Sequence, residues 1–439
     1  MVGWTGDFVD NVVPHPVLRR DLGGDSGHFC FELRIANFVQ LEVSFGPGFG
    51  RSALAVLMDR VSETLCGMAL IEPRFDCGLE VYVRDPVAAN LPAVSDDRRE
   101  WLQSLIVDLM LRPLTINGVV VHLVLVGSAL VRERPRNGAI AVNAADELSP
   151  TVSEQSRSDH AMDMAVVSPA LAAMGGYRSK MGSPIDVEVC WQPVRFAALP
   201  GTSAIVEGKF ATIDANGQLE VGGRVIAAAE RLGLVRLFDR YVASRAVDEL
   251  LASPGAVALM VTVAVESFAD TAFWEQLLTK LLRKGGVARD LILELRGPLG
   301  GASVLGVGET LAGLRRAGCR ISIGQFGLGE TSLRDASVFE PDIVSIDRHF
   351  ISAGMPARLG SALPHLIGLG RALRAQVLVD GVDDALAATT AVEAGADLMK
   401  GAWCGPPRLS RCWASGHQAP RSARRKLAEV PVTPPRNSK

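Results

Sequence analysis

The sequence has no CxxC pair. Its seven cysteines, Cys30, Cys66, Cys77, Cys190, Cys319, Cys404 and Cys412, lie far apart, and no histidine stands near them at ligand spacing. That pattern argues against a structural zinc and a disulfide framework and leaves reduced core thiols. No apolar run approaches the roughly 18 uncharged residues of a membrane helix, so no membrane span is expected. The opening residues, MVGWTGDFVDNVVPHP, lack a basic segment followed by an apolar one, which removes the expectation of a leader and points to the cytoplasm. Net charge is only -3, so the chain as a whole is no electrostatic match for nucleic acid. Neither a GxGxxG nor a P-loop lysine pattern occurs, and a nucleoside triphosphate site has no support. His28, His160, His349 and His365 share no spacing of a ligand set, and His122, inside an apolar strand, reads as a satisfied core residue.

What is present is core material. With 48% hydrophobic residues in 439, the chain can build two or three domains. Residues 1–27 form an N-terminal extension. From 28 to 135, strand-like segments (CFELRIANF, GLEVYVRD, GVVVHLVLVGSALV) accompany a helix-periodic one, GRSALAVLMDRVSETL, as a small α/β domain would show. Residues 136–186 are rich in Ser, Ala, Asn, Asp and Gly without sustained period and are expected to be a linker, with at most a short helix in AMDMAVVSPALAAM. The last residues, 413–439, carry Arg421, Arg424, Arg425, Lys426, Arg436 and Lys439 against Glu429 and are expected to be a basic, disordered tail.

Residues 187–412 alternate regularly. Strand candidates VALMVTVAV, DLILEL, RISIGQF, DIVSID and QVLVDGV are separated by amphipathic stretches such as FWEQLLTKLLRK and LPHLIGLGRALRA. Repeated strand–helix units imply a parallel sheet, and their number favours a TIM-like (β/α) barrel. In such a barrel Glu294, Gln325, Asp347, Asp380 and Lys400, all at strand ends, converge on one mouth. One turn there is odd: ISIGQFGLGETSL ends its strand on Gly324 and Gln325, a hydrogen atom and a neutral amide.

The same block resembles the EAL domain family, the phosphodiesterases that hydrolyse cyclic di-GMP with two divalent metals. Trp191 to Pro193 stands for the family's YQP, Glu207 for the glutamate of E-A-L, and Glu230 for that of A-E-x-x-G-L, 23 residues on. TVAVES stands for V-N-x-S, LELRG for E-I-T-E, GQFGLGETSL for D-D-F-G-x-G-x-S-S-L, VSIDRHF for K-I-D-x-x-F, VDGVD for A-E-G-V-E and KGAWCGPP for Q-G-x-x-x-x-x-P. The resemblance implies a two-metal site of hard oxygen ligands. Of those positions Glu207, Glu294 and Asp347 match. Ala264 replaces the asparagine, Gly324 and Gln325 the paired aspartates, Gly297 the second acid of E-I-T-E, Ser345 the lysine before I-D, and Ala211 the phosphate-gripping arginine. The resemblance therefore implies a fold without the chemistry: no catalytic residue, no Mg or Mn cofactor, and a remnant pocket of Gln192, Glu207, Glu294, Asp347, Asp380, Asp383 and Lys400. The plain alternative for these acids is that they are solvated or paired, Asp347 with Lys400 or Arg348.

The first block resembles, more faintly, a GGDEF domain, the diguanylate cyclase fold. LRIANFVQLEVSFGPGFGRSAL keeps the scaffold positions Phe38, Gly46, Gly50 and Leu54, while Arg34, Glu42 and Arg51 replace the metal-binding aspartate and two guanine contacts; Asp76 to Glu80 stands at the signature hairpin. An arginine where Mg²⁺ would sit is repulsive. Three functions are compatible with the pair: an inactive signalling protein acting through a protein partner, a non-hydrolysing cyclic di-GMP receptor, or a residual phosphodiesterase with an altered metal site. A homodimer fits the family habit.

Overall fold

The computed structural model of the protein describes residues 29–74, 77–83, 95–130, 154–175, 185–284, 286–297, 304–327, 336, 339–351, 361–411 and 413. The N-terminal extension and the basic tail expected from the sequence lie outside the described residues, apart from Trp413. No described helix is long and apolar enough to cross a membrane. The chain divides into two compact units.

The first unit is built on strands β1 (Phe29–Ile35), β2 (Ala69–Arg74), β3 (Gly78–Val83), β4 (Leu114–Ile116), β5 (Val119–Val121) and β6 (Leu125–Leu130). Four of them form one sheet in the order β2-β3-β1-β6, with antiparallel pairing throughout. β4 and β5 form a hairpin about Asn117 and Gly118, both at positive φ, as a two-residue Asn-Gly turn requires. The helix Phe49–Thr64 buries Phe49, Ala53, Leu54, Leu57 and Val61, an i, i+4, i+8 stripe. At its start the ring of Phe38 fills the space a Gly50 Cβ would need, at 2.2 Å.

The second unit contains β7 (Asp186–Phe196), β8 (Leu199–Ile213), β9 (Leu219–Val221), β10 (Ala258–Ala264), β11 (Leu291–Arg296), β12 (Arg320–Phe326), β13 (Ile343–Ile346), β14 (Gln376–Asp380) and β15 (Leu398–Lys400). They close into a barrel in the order β10-β11-β12-β13-β14-β15-β7-β8, with β8 pairing back to β10 and β9 attached outside β8. The expected parallel sheet is found from β8 through β10 to β15, but β7 runs antiparallel to both neighbours. The cause is its connection: β7 turns straight into β8 without a crossover helix, and a tight hairpin can join only antiparallel strands.

The barrel interior is layered with period two. Val194, Ile205, Met260, Ile292, Ile343, Leu378 and Leu398 belong to one buried apolar cluster. Two residues further towards the mouth along the same strands come Gln192, Glu207, Thr262, Glu294, Ser345, Asp380 and Lys400, so a polar layer sits directly on the apolar one.

Two boundaries differ from the sequence expectation. The supposed linker carries a helix, Glu154–Met174, whose Met164, Val167, Ala170 and Leu171 are buried; the spacing makes one apolar stripe, so this helix packs where a spacer would be solvated. The barrel also does not end at 412: Trp413 is buried, edge-on to Trp191 with centroids 5.1 Å apart. His122 is a core residue as expected, its Nδ1 2.9 Å from the Met110 carbonyl oxygen. Of the thiols, Cys30, Cys190, Cys319 and Cys404 are buried, but Cys66 is exposed and Cys77 half-buried, because both occupy turns with positive φ. Leu171→Ala is expected to destabilise the second unit by about 2–5 kcal/mol in denaturant unfolding, whereas a spacer helix would lose less than about 0.5 kcal/mol.

Candidate functional site at the barrel mouth

Lys400, the last residue of β15, points its side chain into the polar layer. Its Nζ donates to Glu207 Oε1 at 3.1 Å and to Glu294 Oε2 at 3.4 Å, and lies 3.8 Å from Asp380 Oδ2, its register partner on β14. The three side chains at the centre are almost dry: Lys400 is 5%, Glu207 4% and Glu294 6% exposed. Thr262 supports the arrangement by donating to Glu294 Oε2 at 2.8 Å, and its hydroxyl also lies 3.4 Å from Glu207 Oε1. Lys209, two residues beyond Glu207 on the same face of β8, places its ammonium 3.1 Å from Glu207 Oε2.

The electrostatics follow from this geometry. Burial alone would drive the proton off Lys400, but the carboxylates of Asp380, Glu207 and Glu294 outweigh it and hold its pKa well above the ordinary lysine value. Burial pushes the Glu207 carboxyl up, and the opposing pull of Lys400 and Lys209 brings it below the ordinary carboxylate value. A charged pair is thus locked in a site that water barely reaches.

Four of the seven remnant residues, Glu207, Glu294, Asp380 and Lys400, therefore meet. The other three serve the surrounding loops. Gln192 Nε2 donates to the carbonyl oxygens of Gly401 and Gly405, at 3.2 and 3.1 Å. Asp347 does not reach Lys400 or Arg348; its Oδ1 accepts from the His349 backbone N–H at 2.9 Å and lies 2.6 Å from His349 Nδ1, because it caps the short helical turn Arg348–Phe350. Asp383 pairs with Arg348 at 2.8 Å and accepts from the Ala402 N–H at 2.8 Å.

The turn after β12 explains its own composition. A Cβ on Gly324 would lie 3.3 Å from Glu294 Cγ and 3.2 Å from the Leu295 carbonyl oxygen, so Glu294 occupies room that a longer side chain would claim. Gln325 takes a left-handed φ of 52° at a register shift between Ile323 and Phe326, and the residue is exposed.

One residue near the mouth was not anticipated. Asp239, on the helix Val235–Ala252, accepts on Oδ2 from the Ala264 N–H at 2.9 Å and the Ser267 hydroxyl at 2.6 Å, tying that helix to the end of β10. Burial raises its carboxyl to about 6, against the opposing influence of Arg296 and of these two hydrogen bonds. Lys209 was also missed, although its i+2 relation to Glu207 places it on the same strand face.

One oxygen of each of Glu207 and Glu294 faces the internal ammonium of Lys400, and the neighbouring positions are Ala264, Gly324 and Ser345.

The second unit is thus a barrel whose first strand runs against the others, with Glu207 and Glu294 together at its mouth. The family model of the EAL domain matches residues 186–407, just over half of the chain, and the protein belongs to that family. A curated relative, cyclic di-GMP phosphodiesterase TpdA of Vibrio parahaemolyticus, is 33% identical over 95 residues, which are 21% of this chain and 16% of the relative; the match thus spans about a sixth of that protein's length. Among solved structures, the PaMucR phosphodiesterase in complex with c-di-GMP is 21% identical with a TM-score of 0.48, covering 55% of this chain and 97% of the other. The FimX EAL domain of Xanthomonas citri in complex with c-diGMP is 19% identical with a TM-score of 0.47, covering 58% and 99%.

Gly324→Asp is expected to cost about 1–3 kcal/mol in denaturant unfolding, by overpacking against Glu294 and adding a like charge. For Asp239 the folded pKa of about 6 lies above the unfolded value, so the folded state holds the extra proton and stability falls as pH rises from about 4 to 6. A span on the order of 3 kcal/mol is expected, and Asp239→Asn should flatten that limb of the pH–stability curve.

Proposed function

We propose that this EAL-family protein is a cytoplasmic, catalytically inactive member of cyclic di-GMP-related bacterial signalling that works through contact with a protein partner. The observation that carries the reading is the Lys400 ammonium held between Glu207 and Glu294. A hydrolytic site of this class needs carboxylate oxygens free to coordinate ions that activate water and neutralise phosphate; here one oxygen of each glutamate is taken by a lysine. The absent arginine at Ala211 and lysine at Ser345 support the same reading. So does the charge of the mouth: Glu207, Glu294, Asp347, Asp380 and Asp383 outnumber Lys209, Lys400 and Arg348, an unfavourable surrounding for a dianionic dinucleotide.

The first unit is proposed to be a degenerate GGDEF-like domain. Its support is the packing of Phe38 against Gly50 and the left-handed φ of Gly46, which give the retained positions a scaffold role. Glu42, at a guanine-reading position, accepts instead from the Gly48 N–H at 3.0 Å. A homodimer is a compatible assembly.

Isothermal calorimetry with cyclic di-GMP, with and without Mg²⁺ or Mn²⁺ and followed by product analysis, tests the function. The expected result is neither binding heat nor linear pGpG. Micromolar binding without turnover would make the protein a receptor, and pGpG would make it a phosphodiesterase; either result overturns the proposal.

A further inference from the structure

The polar layer buries two carboxylates, Glu207 and Glu294, against one buried ammonium, Lys400. Glu207 and Glu294 are buried on the strands that flank β10, and a buried carboxylate without a compensating charge is costly enough to unfold a marginal domain. Glu207 has two cations, since Lys209 meets its Oε2. Among the described residues Glu294 has one, Lys400, and its Oε1 is buried without a hydrogen-bond partner. Beside the Thr262 hydroxyl, the positive charge that balances Glu294 therefore arrives on one four-carbon stem from the end of β15.

We propose that Lys400 is the resident cation of the barrel mouth: a tethered ammonium that supplies from within the chain the positive charge that Glu207, Glu294 and Asp380 require, so that the fold needs no ion from solution. An ammonium suits the place because its three donors meet two carboxylates at hydrogen-bond distance and a third at 3.8 Å. The side chain acts here as a charge rather than as a filler. Its stem replaces nothing that an apolar chain of equal length would not, whereas its head group is the component without which Glu294 is unpaired. The inference goes beyond the functional proposal and does not depend on it, because its readout is stability and not nucleotide binding.

The test is chemical rescue. Lys400→Ala removes three carbons and an ammonium, which n-propylammonium matches, leaving a slot of that shape above two buried glutamates. Thermal unfolding of the full-length wild type and variant is measured in EDTA, then with n-propylammonium chloride, 1-propanol or sodium chloride at equal concentration. The variant is expected to melt about 10 °C below wild type in EDTA. Propylammonium should restore most of the loss; propanol and sodium chloride should not, and the wild type should respond alike to all three. Rescue by propanol to the same extent, or no rescue by propylammonium, overturns the proposal. If the variant does not fold in buffer, the same additives are supplied during refolding: recovery with propylammonium alone is the expected result, and recovery with none of them counts against it. A second comparison removes any dependence on the slot. Lys400→Met combined with Glu207→Gln and Glu294→Gln should melt above Lys400→Met alone, since neutral amides need no cation; a triple variant melting at or below the single one contradicts the role.

Discussion

A lysine buried among glutamates constrains the rest of the barrel. Taking one ammonium and two carboxylates out of water costs several kcal/mol per ion, and only close, well-donated pairing offsets it. The protein meets that demand by period-two alternation: in β8, β11, β14 and β15 an apolar residue of the barrel core is followed two positions on by Glu207, Glu294, Asp380 or Lys400. The apolar layer fixes the strands, and the strands fix the distances of the charged layer. Asp239 adds a second tie from outside, holding the helix Val235–Ala252 to the end of β10 through the Ala264 N–H and the Ser267 hydroxyl.

The composition of the mouth then has a physical account. With Glu294 turned towards Lys400 and Thr262, the space beside it at position 324 admits a hydrogen but crowds anything larger. Gln325, at the bulge that follows, is exposed. Gln192, Asp347 and Asp383 remain where the family pattern places them, but each serves local backbone: the Gly401 and Gly405 carbonyl oxygens, the His349 N–H and the Ala402 N–H. The frame of an EAL barrel is thus kept while Glu207 and Glu294 are paired with a lysine of the same chain.

Much of this was legible in the sequence. The alternation from Val257 onward gave the barrel, and the strand-end positions of Glu294, Asp380 and Lys400 gave their convergence, because side-chain period and strand polarity are local properties. What was not legible depended on closure and reach. The antiparallel β7 follows from the two-residue connection Ala197-Ala198, whereas the turn signal in the sequence, Pro200-Gly201, lies inside β8. The Lys400 contact to Glu207 joins residues 193 positions apart, across a seam set by how β15 meets β7. The helix Glu154–Met174 was obscured because Pro169 and a polar first half interrupt the apolar stripe of Met164, Val167 and Leu171. Asp347, for which a pocket role and a lysine or arginine partner were both open, caps its own turn instead.

The central claim is that the cation at this mouth belongs to the chain. A crystal of the wild-type protein soaked in manganese chloride and measured at the manganese absorption edge tests it most directly. The account predicts no anomalous peak between Glu207 and Glu294, with density for the Lys400 ammonium in that position. Two fully liganded manganese ions there, with Lys400 displaced, would contradict it.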